Sequence, residues 1–203
     1  MFVVTADQRA SRTSSDLVPE ALTEISRVAD GALLLDPERT AGDEIQTAVR
    51  DAGASLAIIL MLTRTQVWSV GLGVGTIEEP ALPSVRAARG SALVRARDAV
   101  ERAKRAPGRV AITGGEGAAD AEALLRLLID LRDRRTDEGW EVHDLLETGL
   151  TQREVAARLG ISDAAVSLRA KVAGLRVEEA AAPALRRVLA RLDVAASTVP
   201  DGS

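Results

Sequence analysis

Hydrophobic and polar positions follow two different periods through residue 115 of the chain. Five segments are short apolar runs or alternate between apolar and other residues, as strands do: 2–6, 32–35, 45–49, 68–77 and 109–115. Three segments have apolar residues at helical spacing or throughout their length: 16–29, 52–62 and 91–105. Residues 52–62 are apolar on all sides and are expected to form a buried helix, although so short a run also allows a strand.

The order of these segments is strand, helix, hairpin, helix, strand, helix, strand. It predicts an α+β fold: a ferredoxin-like antiparallel sheet that is covered on one face by helices and has an extra edge strand. The predicted strand at 68–77 places Gly71, Gly73 and Gly75 on one face. Three glycines on one face indicate that something approaches this backbone closely, either a tightly packed helix or a ligand.

Strand patterns end after residue 115, and the rest of the chain shows helical spacing only. Residues 119–135 predict a long amphipathic helix, and a further helix is expected around residues 140–146. The segment GGEGAAD, residues 114–120, is the expected domain boundary. The sequence therefore predicts an α+β domain in residues 1–117 and an all-α domain in residues 118–203.

Residues 151–171, TQREVAARLGISDAAVSLRAK, contain the capping and turn residues of two short helices that cross closely. Thr151 and Glu154 are expected to form a capping box at the start of the first helix. Gly160 allows the left-handed turn that ends this helix, and Ser162 caps the second one. Four positions are expected to be buried: Val155, Ala156, Leu159 and Val166. These residue types at these spacings predict a helix-turn-helix.

This segment resembles bacterial helix-turn-helix regulators with the pattern TQxEVAxxLGIS. The resemblance implies that the first helix contacts DNA phosphates through residues at its start: Thr151, Gln152 and Arg153. It also implies that the second helix enters the major groove. The candidates there for base or backbone contact are Ser162, Asp163, Ala164, Ala165, Ser167, Leu168, Arg169 and Lys171. A purely structural pair of helices is the alternative.

The predicted second helix is poor in the residue types that make bidentate contacts with bases, which are Arg, Lys, Asn and Gln. We therefore expect modest affinity for each subunit. A homodimer that binds double-stranded DNA at two half-sites about 34 Å apart would compensate for this weakness.

Charge separates the two ends of the chain. The formal net charge is -4, which argues against a protein that coats nucleic acid non-specifically. Residues 1–50 contain nine acidic and five basic side chains, whereas residues 151–176 contain five basic and two acidic ones. The basic part is the one with the helix-turn-helix pattern, so the two ends are expected to have different tasks.

Composition favours a cytoplasmic protein. Cysteine is absent, which excludes disulfides and thiolate metal sites and favours a reducing compartment. The first residues lack the basic start and apolar stretch of a secretory signal. The longest apolar run, residues 54–62, is about half of the roughly 20 residues that a membrane-spanning helix needs. No membrane contact is therefore expected. The Arg-rich, Lys-poor usage is typical of a bacterium with a GC-rich genome.

Three further segments resemble the bacterial SatD family: TADQRASR (5–12), AGDEIQ (41–46) and RGSALVRARDAVERAK (89–104). Together with the helix-turn-helix, they extend the resemblance over essentially the whole chain. The signatures typical of that family are GDxxGSR and GDEFQ, and this chain matches them at Asp7, Ser11, Arg12, Gly42, Asp43, Glu44 and Gln46. It departs from them at Ala6, Ala10 and Ile45, so the resemblance is to a divergent member of the family.

The predicted layout also resembles the palm of nucleotidyl cyclases and GGDEF proteins. In those proteins, carboxylates at the end of the first strand and in the hairpin hold two divalent ions for phosphoryl chemistry. The resemblance implies Mg²⁺ ligands at Asp7, Asp43 and Glu44, and contacts with a bound nucleotide at Ser11 and Arg12. The alternatives are that Asp7 caps a loop and Asp43 makes the hairpin turn, or that the site binds a metal or nucleotide without turnover.

The sequence as a whole favours a DNA-binding transcriptional regulator. Its N-terminal domain would sense a nucleotide or metal, or would dimerise, and the helix-turn-helix would read DNA as a homodimer. The alternative is a palm-like, metal-dependent enzyme that handles nucleotides and carries an accessory helix-turn-helix. A third interpretation makes the α+β domain a dimerisation platform only.

Overall fold

A computed structural model describes residues 1–10, 13–78 and 84–198. The strands are β1 (Phe2–Gln8), β2 (Leu33–Arg39), β3 (Glu44–Val49), β4 (Trp68–Val74) and β5 (Val110–Thr113). The helices are α1 (Val18–Val28), α2 (Ala52–Thr63), α3 (Ser91–Ala103), α4 (Ala118–Asp133), α5 (Asp137–Glu147), α6 (Gln152–Leu159), α7 (Asp163–Val172) and α8 (Leu175–Thr198). A short 3₁₀ turn, Pro107–Arg109, precedes β5. The predicted buried helix at residues 52–62 is confirmed as α2.

The described residues divide into two compact units. One contains the described residues of Met1–Arg126 and Ala184–Ser203, and the other is Leu127–Pro183. The sequence predicts a domain boundary after residue 117; these compact units divide inside α4 and again inside α8. Helical periodicity continues through both positions, so the pattern of apolar residues gives no sign of either division.

The five strands of the first unit form one sheet in the order β2-β3-β1-β4-β5. The pairs β2–β3, β1–β3 and β1–β4 are antiparallel, whereas β4 and β5 are parallel. The first four strands, with α1 and α2, have the predicted ferredoxin-like arrangement, and β5 is the predicted extra edge strand. The α+β class is confirmed, but the sheet is mixed rather than antiparallel. The reason is α3, because a helical crossover returns the chain in the same direction.

Helices cover both faces of this sheet, not one face as the sequence predicted. Side chains alternate along a strand, so Val70, Leu72 and Val74 point away from Gly71 and Gly73. A Cβ atom built on either glycine meets the backbone of α3, which places α3 on the glycine face. The three apolar residues are nevertheless fully buried. They lie under α2, which contacts β1, β3 and β4.

The glycines of β4 allow α3 to lie unusually close to the sheet. A Cβ atom at Gly71 would lie 2.2 Å from the backbone nitrogen of Val100, and one at Gly73 would lie 2.2 Å from the carbonyl oxygen of Ala92. Small side chains on α3 allow this approach, since four of its alanines are buried: Ala92, Ala96, Ala99 and Ala103. Of the two alternatives for the glycine face, helix packing is therefore confirmed.

The second unit is all-helical. Its core joins α5, α6 and α7 through Val142, Val155, Ala156, Val166 and Ala170, and the surrounding leucines pack against it. Across the described residues of both units, no helix combines the length and apolarity that a membrane crossing requires.

Candidate nucleic-acid interface

The start of α6 has the predicted capping box. The Thr151 hydroxyl accepts a hydrogen bond from the backbone N–H of Glu154 at 3.3 Å, and the Glu154 carboxylate accepts one from the backbone N–H of Thr151 at 2.8 Å. These two hydrogen bonds satisfy donors that a helix start otherwise leaves unpaired. The hydrogen bonds from the Thr151 backbone and hydroxyl lower the pKa of Glu154, so the box is intact at neutral pH.

We expect Thr151→Ala to destabilise the second unit by about 1 kcal/mol, because the variant loses the cap of α6. Urea unfolding followed by circular dichroism measures this change. Gln152→Ala is the matched control, since Gln152 is the exposed next residue and a surface change there should stay within about 0.5 kcal/mol. Equal stability of the two variants would show that the cap contributes nothing.

The turn between α6 and α7 depends on Gly160. Its φ is +67° and its ψ is 31°, which is the left-handed region. A Cβ atom at this position would meet nothing within 4 Å, so backbone conformation and not space explains the glycine. Two residues later, the Ser162 hydroxyl accepts a hydrogen bond from the backbone N–H of Ala165 at 3.2 Å and caps α7.

The buried positions of the helix-turn-helix agree with the sequence analysis. Val155, Ala156 and Val166 are buried, and Leu159 packs at the edge of the same core. The sequence analysis predicted a helix around residues 140–146 but did not place it. Val142 of this helix, α5, is fully buried in the core, so α5 packs against both helices of the helix-turn-helix.

Most predicted DNA-contacting residues are exposed on this unit. At the start of α6, these are Thr151, Gln152 and Arg153. Around α7, they are Ser162, Asp163, Ala164, Ser167, Leu168 and Lys171. Ala165 and Arg169 differ because they are half-buried. The guanidinium of Arg169 lies 3.3 Å from the carboxylate of Glu141, so this arginine is engaged with α5.

The exposed charge on this surface is mainly positive. Arg153, Arg158, Lys171 and Arg176 are exposed. The acidic residues of the segment have local structural roles, since Glu154 belongs to the capping box. Asp163 begins α7, where a carboxylate interacts favourably with the positive end of the helix dipole. The surface can therefore approach phosphates without a free acidic cluster.

A buried ionic cluster that no sequence pattern predicts lies near the end of α7. Its members are Arg132, Arg135, Trp140 and Glu178. Glu178 forms ion pairs with both arginines, whose guanidinium carbons lie 4.9 Å and 4.3 Å from the centre of the Trp140 ring. Both arginines are only 7% exposed. An arginine on a helix is ordinarily read as a surface residue, so no signal in the sequence identified this cluster.

This ionic cluster also holds the backbone at the end of α7. Arg135 Nε donates a hydrogen bond to the carbonyl oxygen of Ala173 at 3.1 Å. Burial by itself would raise the pKa of Glu178, but the hydrogen bond from Arg135 and the charges of both arginines outweigh it and lower that pKa. Glu178 is therefore ionised at neutral pH, and its partner Arg135 contacts the residue that follows α7.

The structure brings together two of the three predicted metal ligands where β1 ends and β3 begins. Asp7 and Glu44 are directly paired across β1 and β3. The ammonium of Lys104 lies 3.1 Å from the Asp7 carboxylate, and the Thr40 hydroxyl donates a hydrogen bond to Glu44. Asp43 is in the hairpin turn, where its carbonyl oxygen accepts a hydrogen bond from the backbone N–H of Gln8 at 3.3 Å.

A lysine, Lys104, contacts Asp7, which the palm resemblance implies as a metal ligand. Its hydrogen bond to Glu101 and then its contact with Asp7 raise the pKa of Lys104, so the lysine is charged. Nowhere in the described ranges do three or more acidic or histidine side chains form a group that could hold a metal ion. Ser11 and Arg12, the predicted nucleotide contacts, lie outside the described residues. The metal and nucleotide assignments stay predictions.

Gln46, which matches the SatD signature, has a structural role in this sheet. Its side chain is 1% exposed and donates a hydrogen bond to the Thr5 hydroxyl on the neighbouring strand at 2.8 Å. A buried amide that is hydrogen-bonded to an adjacent strand helps to fix the pairing of β1 with β3.

Comparisons with known proteins do not assign a family. No protein-family model matches this chain, and no curated protein matches it. Among solved structures, the chain is similar to the crystal structure of a regulator of polyketide synthase expression from Bifidobacterium adolescentis. The sequences are 14% identical, the match covers 96% of this chain and 80% of that one, and the TM-score is 0.31. A similarity at this level carries no argument, and SatD membership stays a resemblance.

Proposed function

We propose that this protein is a DNA-binding transcriptional regulator in which α7 lies in the major groove of double-stranded DNA. The observation that carries the proposal is the arrangement of α6 and α7. Both helices are capped, a left-handed glycine joins them, and one side of each is buried in a common core. This leaves the outer side of α7 exposed and free of internal partners over most of its length, as a recognition helix requires.

The start of α6 supplies the proposed phosphate contacts. Thr151, Gln152 and Arg153 are exposed there, and hydroxyl, amide and guanidinium groups are common phosphate ligands in DNA complexes. Each copy of the surface carries few positive charges, so the proposed complex is a homodimer on two half-sites about 34 Å apart. This geometry adds the weak contributions of two subunits.

The first unit is proposed to serve sensing or dimerisation. A palm-like enzyme is not proposed as a second function, because Lys104 is paired with Asp7 and no observation on the described residues favours catalysis there.

The proposal predicts that Arg153→Gln and Lys171→Gln each weaken the binding of duplex DNA. Each change removes a positive charge that would displace counterions, so each should also lower the slope of log affinity against log salt by about one. Fluorescence anisotropy with a labelled duplex at several salt concentrations measures both quantities.

Arg97→Gln is the matched control for these variants. Arg97 is an exposed arginine on α3 of the first unit, so its replacement changes the net charge equally without touching the proposed surface. Retention of wild-type affinity and salt slope by the Arg153 and Lys171 variants would mean that the helix-turn-helix does not contact DNA.

A further inference from the structure

The exposed side of α7 is more apolar than a protein surface in contact with water requires. Leu168 is 61% exposed and Val172 is 72% exposed, one turn apart on the same helix. Neither residue belongs to the core that joins α5, α6 and α7. The packing of the second unit therefore does not explain why these positions are large and apolar.

Four exposed side chains of α7 form one continuous patch, which we call the α7 patch: Ala164, Ser167, Leu168 and Lys171. Residues three and four positions apart are neighbours on a helix surface. Leu168 is therefore adjacent to Ala164 on one side and to Lys171 on the other. The apolar part of the patch lies between the start of the helix and a lysine.

The charge of the α7 patch favours nucleic acid as its partner. Lys171 is the one charged side chain of the patch, and Asp163, in the first turn of α7, lies outside it. A positive charge beside an apolar side chain suits DNA, because every base edge in the major groove lies between two phosphate strands.

The residue types in the α7 patch limit which bases it can distinguish. Bidentate recognition of guanine or adenine uses Arg, Lys, Asn or Gln. In the α7 patch, Lys171 alone is of these types, and the half-buried Arg169 is paired with Glu141. The remaining base feature that suits an alkyl side chain is the 5-methyl group of thymine.

We infer that α7 recognises thymine through its 5-methyl group, with Leu168 as the specificity-determining residue and Ala164 beside it. This inference rests on the proposed function, since it requires α7 to lie in the major groove. Leu168 covers the methyl group and removes its apolar surface from water. Uracil, which lacks only this methyl group, is then the discriminating probe.

The test uses two copies of the same genomic DNA fragments, one synthesised with thymine and the other with uracil. The full chain is expected to bind its preferred fragments less tightly in the uracil form, by about fourfold for each methyl group that Leu168 covers. Leu168→Ala should weaken binding to the thymine form, leave binding to the uracil form nearly unchanged, and bring the ratio of the two affinities towards unity.

Val177→Ala is the matched control. Val177 is 60% exposed and lies on α8, so its truncation removes exposed apolar surface outside the α7 patch and should keep the wild-type ratio. Leu168 is exposed, and thermal unfolding should confirm that its truncation leaves the fold intact.

The outcomes separate the inference from the proposed function. Binding by the wild type with the same thymine-to-uracil ratio in Leu168→Ala overturns the inference and leaves the regulator proposal standing. Absence of duplex binding by the wild type in both forms overturns both.

Discussion

Gly73→Ala is expected to unfold the first unit, with a loss of at least about 3 kcal/mol in the free energy of unfolding. An added Cβ atom would lie 2.2 Å from the carbonyl oxygen of Ala92 and 2.3 Å from the backbone nitrogen of Ala96. Both atoms belong to the backbone of α3, which cannot turn aside as a flexible side chain can. The helix would have to leave the sheet, and the buried alanines of α3 would lose their contacts.

Gly115→Ala is the control for this glycine substitution. A Cβ atom at Gly115 meets nothing within 4 Å, and its φ lies outside the left-handed region. Its replacement should therefore change stability by less than about 0.5 kcal/mol. Urea unfolding followed by circular dichroism compares the two variants. A Gly73→Ala protein as stable as Gly115→Ala would show that α3 does not pack on the backbone of β4.

Glu178→Ala is expected to destabilise the second unit by about 3 kcal/mol or more, because it removes the carboxylate that pairs with two buried arginines, Arg132 and Arg135. Glu179→Ala is the matched control, since Glu179 is the exposed next residue on α8. Urea unfolding measures both variants. Equal stabilities would mean that the ionic cluster contributes nothing to the fold.

The same carboxylate predicts how stability depends on pH. The pKa of Glu178 is lower in the folded chain than its ordinary value. Its contribution is therefore complete above the unfolded pKa of about 4.3 and is lost as the pH falls through the folded pKa. Glu178→Gln removes this ionisation, so its free energy of unfolding should fall less steeply between neutral and acid pH than that of the wild type.

The link from the ionic cluster to DNA binding is the hydrogen bond from Arg135 to the carbonyl oxygen of Ala173, at the end of α7. We therefore expect Glu178→Ala to weaken DNA binding as well as stability.

The sequence predicted the parts of the fold that local patterns determine. Each of three features depends on residue types within one short stretch of the chain: the capping box of Thr151, the turn at Gly160, and the close approach at Gly71 and Gly73. Glycine is favoured at a left-handed turn because it has no Cβ atom. For the same reason, glycine fits where another backbone comes so close that a Cβ atom would clash with it. The structure confirms them.

The sequence did not predict features that arise from distant contacts. Nothing in residues 109–115 distinguishes a parallel from an antiparallel edge strand, since the direction follows from the crossover through α3. Arg132 and Arg135 have the residue type of surface positions, and only their contacts with Glu178, more than forty residues later in the chain, bury them. Lys104 pairs with Asp7, almost a hundred residues earlier in the chain, and no local pattern reveals this contact either.

Selection from fragmented bacterial genomic DNA shows whether the helix-turn-helix recognises specific DNA sequences. The full chain would be compared with the double variant Arg153→Gln, Lys171→Gln at two salt concentrations, so that binding to phosphates alone can be recognised. We predict enrichment of a shared sequence with two half-sites about 34 Å apart, and loss of that enrichment in the double variant. Enrichment of no common sequence, or the same enrichment by both proteins, would contradict the account.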